Sequence, residues 1–193
     1  MKSIVVFCGA STGSDPVYRE AAAKLGRTLA GQQVKLIYGG GNVGLMGVIA
    51  DAVLEAGGEV TGVIPDFLKK WEVAHGELTE LIVTETMHER KAIMAEKADG
   101  FLTLPGGFGS MDELFEILTW KQLQIHRKPV GLLNVNGFYD PLLGMLDRMV
   151  DAGFLKESNR ELLLVSGDAD DLLARMLDHQ PVVAEKWVDR EKI

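Results

Sequence analysis

The chain has 193 residues, 47% hydrophobic and 25% charged, which suits one globular domain with a real core and excludes a disordered polymer. Its 28 acidic and 20 basic residues give a net charge of -8, a field that repels nucleic acid and anionic membranes. A small phosphorylated ligand stays open, because a nest of backbone N–H groups can hold an anion against the net charge, while the single cysteine, Cys8, excludes an internal disulfide.

In chain order, Ile4 to Cys8 reads as a buried strand. The run from Ile4 to Ala10 barely reaches the ~7–15 residues of a leader's apolar region and contains Gly9, so a secretory leader is not expected. No apolar stretch approaches the ~20 residues of a membrane span, so a cytoplasmic protein is expected. Ser14-Asp15-Pro16 supplies an N-cap and an N1 proline for a helix to about Ala30. Val34 to Tyr38 is a second strand, and a glycine turn leads into a helix from Gly44 to Ala56. Val60 to Ile64 is a third strand. Pro65 to Thr84 is irregular, with a possible strand from Glu80 to Val83. A helix from Met87 to Ala98, a strand from Phe101 to Leu104 and a long helix from Ser110 to Gln124 follow. Strand, helix, strand and helix then occupy Pro129 to Asn134, Pro141 to Ala152, Leu162 to Val165 and Asp170 to His179.

Short apolar strands alternating with helices imply an α/β fold: a Rossmann-like, doubly wound parallel sheet covered on both faces. One domain over residues 1–193 is expected, with 181–193 as a polar tail. In such a sheet ligands sit at the carboxyl ends of the strands, so the turns after strands carry the information.

Gly39 to Gly44 matches G-x-G-x-x-G between a strand and a helix. It follows the second strand, whereas the dinucleotide fingerprint usually follows the first; Asp66 is the acidic residue at the end of the next strand. Dinucleotide binding, another nucleotide site, and mere close packing of helix on strand all remain open here. Pro105-Gly106-Gly107-Phe108-Gly109-Ser110 is the stronger signal. Its glycines can aim successive N–H groups into one concavity, and the following helix points its positive end there. No Lys-Ser/Thr pair follows, so a monophosphate fits better than a triphosphate. Ser110 and Glu113 also spell a capping box, which would make both residues purely structural. Arg90 and Lys91 open the preceding helix on the same sheet edge. There they read either as a solvated turn or as a phosphate anchor.

FCGAS at 7–11, YGGGNVGLMG at 38–47, GVIP at 62–65, MHERK at 87–91, PGGFGSMDE at 105–113 and TWKQLQIHRKPVGLLN at 119–134 together resemble the Lonely Guy family. Its members are cytokinin riboside 5′-monophosphate phosphoribohydrolases, often labelled lysine decarboxylase-like. Ser110 stands where the family usually has Thr, and Asp112 where plant members tend to have Glu. The resemblance implies a Rossmann-like homodimer that hydrolyses a nucleoside 5′-monophosphate to free base and ribose 5-phosphate, without metal or organic cofactor. It assigns catalysis to Arg90 and Glu113. It assigns substrate contacts to Glu72, Lys91 and the turn of Gly106, Gly107, Phe108, Gly109, Ser110, Met111 and Asp112, with Gly40 and Gly41 from the first glycine turn and Met87 beside it.

The chemistry is consistent. Glycosidic cleavage passes through an oxocarbenium-like state, which Glu113 can stabilise, attack or relieve by activating water. Arg90 stays charged and suits a phosphate or ribose anchor. A decarboxylase would need a Schiff-base lysine, and neither Lys91 nor Lys97 has that context. A non-catalytic nucleotide binder would need the glycine turn but not the Arg90–Glu113 pair. Met46, Leu45 and Met87 are the expected apolar wall for a prenylated base. The helix from Ser110 carries Phe115 and Trp120 on a second apolar side, which calls for a partner.

Overall fold

In the computed structural model, residues 1–69 and 74–179 are described. Seven strands, β1 (Ser3–Phe7), β2 (Lys35–Tyr38), β3 (Val60–Pro65), β4 (Glu80–Thr84), β5 (Gly100–Thr103), β6 (Val130–Leu133) and β7 (Leu163–Ser166), form one all-parallel sheet. Their order is β4-β3-β2-β1-β5-β6-β7. The helices are α1 (Pro16–Gly31), α2 (Gly44–Glu55), α3 (Met87–Lys97), α4 (Phe108–Gln122), α5 (Asp140–Asp151), α6 (Glu157–Arg160) and α7 (Ala169–Leu177). This is the doubly wound arrangement the alternation of elements implies.

The helices divide between the two faces. On one, α1, α2 and α7 bury Leu25, Leu29, Ile49 and Leu172 against Leu36, Tyr38 and Leu102. On the other, α3, α4 and α5 bury Met94, Leu114, Ile117 and Leu146 against Val5, Phe101 and Leu132. Each fully buried Leu or Ile contributes about 1.5–3 kcal/mol, so strands packed on both faces can afford almost no polar residues. β3, β5 and β6 are buried along their whole length. The edge strand β4 differs, with Leu81 and Val83 exposed.

Local chemistry sets the helix ends. Asp15 caps α1 by accepting from the Val17 N–H, with Pro16 behind it. Asp168 caps α7 by accepting from the Asp170 and Asp171 N–H groups. The basic stretch after α4 has the opposite task. His126 Nε2 donates to the Ile117 carbonyl at 2.9 Å, and the Lys128 ammonium donates to the Ala95 carbonyl at 2.6 Å. The Lys121 ammonium, buried, donates to the Leu162 carbonyl at 3.2 Å. The Lys128 bond closes the carbonyl end of α3, where the helix dipole favours positive charge.

Candidate active site

The sheet order reverses between β1 and β5, so the chain leaves one strand towards α1 and the other towards α4. A crevice opens at their carboxyl ends. The Gly9 N–H donates to the Pro105 carbonyl at 3.1 Å, and the Leu45 N–H donates to the Gly9 carbonyl at 3.0 Å. Backbones this close leave no space for side chains. A Cβ on Gly106 would overlap the Ser110 side chain and stand 3.0 Å from the Gly9 nitrogen.

A cleft of about 290 Å³ lies beside this junction, lined among others by Cys8, Gly39, Arg90, Gly107, Ser110 and Glu113. The two residues expected to carry catalysis, Arg90 and Glu113, thus meet in one cavity with the glycine turn. Arg90 is buried. Its Nε donates to the Val63 carbonyl at 3.1 Å, its Nη1 lies 3.8 Å from the Met87 sulfur, and its Nη2 packs on Gly39 so tightly that any side chain there would collide with it. A solvated charged turn is therefore the wrong description of this arginine.

The capping-box reading of Ser110 and Glu113 is overturned. α4 begins at Phe108, two residues earlier than the spacing suggests, and its N-cap is Gly107, which has no side chain to offer. Ser110 becomes the third helical residue, buried, with its hydroxyl against Gly106. The first intrahelical bond runs from the Met111 N–H to the Gly107 carbonyl at 3.1 Å. The amides of Gly107 to Ser110 hence have no partner within the helix. Glu113, one turn on, faces the cleft.

The true capping box is at α3. The Thr86 hydroxyl accepts from the Glu89 N–H at 3.1 Å, and the Glu89 carboxylate accepts from the Glu85 N–H at 2.8 Å. Glu89 thereby offsets the cost of Arg90 and Lys91 near a helix N-terminus.

The remaining expected contacts divide. Gly107, Phe108 and Gly109 line the cleft, Phe108 almost wholly exposed at its mouth. Lys91 turns away from the cavity to pair with Asp112 at 2.6 Å and Glu116 at 3.2 Å. Burial opposes its charge, but the two carboxylates prevail and its pKa is raised. The Lys91–Asp112 pair ties α3 to α4. Met111 packs on the core of that face, and Met87 rests on Arg90. Gly40 and Gly41 also lie outside the cleft lining. The Gly40 carbonyl accepts from the His75 N–H at 3.0 Å and Gly41 bridges to Ala74, so both hold the chain that returns over the turn. Gly44, at φ +59°, presses against Ala10 and Ser11, so the last glycine of G-x-G-x-x-G is a close-packing residue. Asp66 pairs with Lys69 beyond β3. Glu72 lies outside the described residues.

Sequence reasoning did not single out Gly39 or Cys8 as cleft residues. The turn that contains Gly39 was recognised, but which of its glycines approaches the arginine depends on the fold of α3. Among the described residues, no group of three or more His, Cys, Asp or Glu side chains is arranged to hold a metal ion.

Comparison with known proteins agrees with this geometry. A family described as possible lysine decarboxylases matches residues 46–176. The cytokinin riboside 5′-monophosphate phosphoribohydrolase LOG7 of Arabidopsis thaliana is 46% identical over 180 residues, covering 93% of this chain and 83% of that protein. The probable cytokinin riboside 5′-monophosphate phosphoribohydrolase LOGL1 of Oryza sativa subsp. japonica is 48% identical over 173 residues, covering 90% and 78%. The chain belongs to the Lonely Guy phosphoribohydrolase family.

Solved structures agree on the fold of this Lonely Guy chain. TM1055 superposes with a TM-score of 0.69 at 25% identity, covering 92% of this chain and 99% of its own. The molybdenum cofactor carrier protein of Chlamydomonas reinhardtii gives 0.67 at 22% identity, covering 92% and 98%, a likeness of fold alone. The decarboxylase wording finds no support in the cleft. Lys91 is engaged by two carboxylates and Lys97 lies near Glu80, 3.9 Å away, so neither lysine considered for a Schiff base lines the cavity.

Proposed function

We propose that this chain hydrolyses the N-glycosidic bond of a cytokinin riboside 5′-monophosphate, or of AMP, giving free base and ribose 5-phosphate. The observation that carries the proposal is the Glu113 carboxylate and the buried Arg90 guanidinium lining one cleft with the uncapped N-terminus of α4. The amides from Gly107 to Ser110 and the Ser110 hydroxyl take the 5′-phosphate, helped by the positive end of the helix dipole. Arg90 anchors phosphate or ribose as a permanent cation. Glu113 supports the oxocarbenium-like state as the base departs. A protein that only carried a nucleotide would need the bare amides and not this pair.

The test is release of adenine, followed by chromatography, from AMP and from adenosine. A charge-assisted contact to phosphate is worth about 1.5–3 kcal/mol, so several together predict kcat/KM at least about a hundredfold higher for AMP. Equal values for the two substrates would remove the phosphate site.

The proposal includes a cytoplasmic homodimer of single-domain chains. Phe115 is exposed on α4, with Leu123 and Ile125 just beyond it, as expected of a face that a second copy covers. Light scattering should give twice the 21.1 kDa chain mass. A fully active monomer would exclude a shared site. Within the cleft, Met46 offers an adaptable apolar wall to a substituted base. A higher kcat/KM for isopentenyl-AMP than for AMP is the expected result.

A further inference from the structure

We infer that Tyr139, a residue outside the cleft, is a positioning residue that sets the shape of the phosphate-binding turn. The inference rests on the reading of residues 106–110 as an anion site.

β5 must hand its backbone to the turn in one conformation. Towards β1, the ladder continues past the strand end: the Leu104 N–H donates to the Phe7 carbonyl at 2.9 Å, and the Gly9 N–H donates to the Pro105 carbonyl at 3.1 Å. Towards β6, pairing stops. Thr103 is opposite Leu132, and β6 ends at Leu133. The Leu104 N–H faces β1, and a regular parallel ladder would bring the Gly9 N–H to the Leu104 carbonyl; that N–H goes to Pro105 instead, so the buried Leu104 carbonyl is left without a strand partner.

Tyr139 takes the missing place. Its side chain is buried, and its hydroxyl donates to the Leu104 carbonyl at 2.8 Å. One phenol therefore holds the carbonyl that precedes Pro105, at the start of the turn. Burial holds the phenol protonated, as the donated bond requires.

The loop that carries Tyr139 is itself fixed. The Asn134 side chain accepts from the Tyr139 N–H at 2.7 Å and donates to Asp140 at 2.7 Å. Asn136 and Gly137 take positive φ values of 50° and 70° to make the bend. Phe138 meets Tyr139 edge to face at 4.8 Å, and Tyr18 meets Phe138 at 5.7 Å. Tyr139 is thus a rigid strut from the start of α5 to the turn.

The role predicts a selective defect. Tyr139→Phe keeps the ring and its packing but releases the Leu104 carbonyl, so the amides of the turn lose their register on the phosphate. The kcat/KM for AMP should fall between about ten- and a hundredfold, chiefly through KM, since small misplacements of binding groups cost that much. Adenosine, which lacks the phosphate, should change far less, so the AMP-to-adenosine ratio collapses. p-Aminophenylalanine at 139, which keeps a donor towards Leu104, should restore most of the ratio. A proportional fall for both substrates would overturn the proposal, because a merely structural tyrosine predicts that result. The phenol proton in the unaltered protein tests it where the variant does not fold: the Tyr139 hydroxyl proton must be visible by NMR and protected from solvent exchange, and a freely exchanging hydroxyl refutes the bond. Ribose 5-phosphate binding by calorimetry separates this inference from the reading it rests on. If the unaltered protein binds ribose 5-phosphate but cleaves no nucleotide, the hydrolase reading fails, and a weaker affinity in Tyr139→Phe still upholds the strut. If it binds none, the strut fails with the site.

Discussion

The N-termini of α3 and α4 meet at one cleft, and the chain treats them in opposite ways. α3 is closed by its own side chains, Thr86 and Glu89, while α4 begins at a glycine with none to give. The difference follows from what each helix presents. α3 carries Arg90 and Lys91 in its first turn, where the dipole disfavours cations, and a local carboxylate offsets that cost. α4 holds Ser110 and Glu113 on a bare end, so its unsatisfied amides are available to an anion from outside the chain. A helix end without a cap costs stability, and its placement at the β1–β5 junction is where a ligand can make up the deficit.

The sharpest way to break this comparison is Glu113→Gln. If the bare end serves chemistry, base release should fall by about 10³-fold, within the range for losing an acid–base or charge-stabilising group, while AMP affinity stays within a few-fold. Unchanged turnover would return Glu113 to a structural role.

A second test uses the other end of α4. Burial lowers the Lys121 pKa from 10.5 to about 8. Between these values the unfolded chain binds the proton that the folded chain has released, so this residue's contribution to stability rises with pH from about 8 to 10.5, by roughly 3 kcal/mol in all. The free energy of unfolding of Lys121→Met minus that of the parent should therefore shrink across that window. A flat difference would mean that the ammonium is solvated.

Thr86→Ala and Ser110→Ala set the two helix starts side by side. The first should cost about 1 kcal/mol in denaturant unfolding, as N-cap losses do. The second removes no cap, so its effect should appear as an about ten- to a hundredfold loss in kcat/KM for AMP. Equal stability losses would restore Ser110 as a cap. The smallest effect is expected at Gly109, where a Cβ meets nothing within 4 Å and the residue is helical. Gly109→Ala should stabilise by about 0.5–1 kcal/mol, seen as a raised Tm, unless ligand amides need the extra freedom.

Much of the fold was legible because buried parallel strands admit almost only apolar residues, so Val5, Ile37, Val63 and Leu102 mark their strands directly. β4 was marked only as a possible strand, because as an edge strand it mixes exposed Leu81 and Val83 with Glu80. α6 was not anticipated: four residues, Glu-Ser-Asn-Arg, are too few to show a helical period. In the site, the order of elements puts Arg90 and Glu113 on one rim and the family resemblance gives them their catalytic roles, but the start of α4 was not legible. Ser-x-x-Glu spells a cap at both correct and incorrect registers, and only the preceding glycines decide. The burial of Lys121 is not legible in sequence, because it depends on Leu162 and His179 arriving from elements far along the chain.

The bond from Gly9 to Pro105 joins two halves of the sheet that come from separate stretches of chain: β1 to β4 end at Thr84, and β5 begins at Gly100. Neither half alone lines the cleft that holds Arg90 and Glu113. Parallel pairing across such distances is slow, and a nascent chain emerges from its N-terminus, so β1 to β4 wait for β5 before the pocket exists. Turnover is therefore a late reporter of folding. Recovery of helix signal after dilution from denaturant should precede recovery of activity, and the lag measures how long the halves take to find each other.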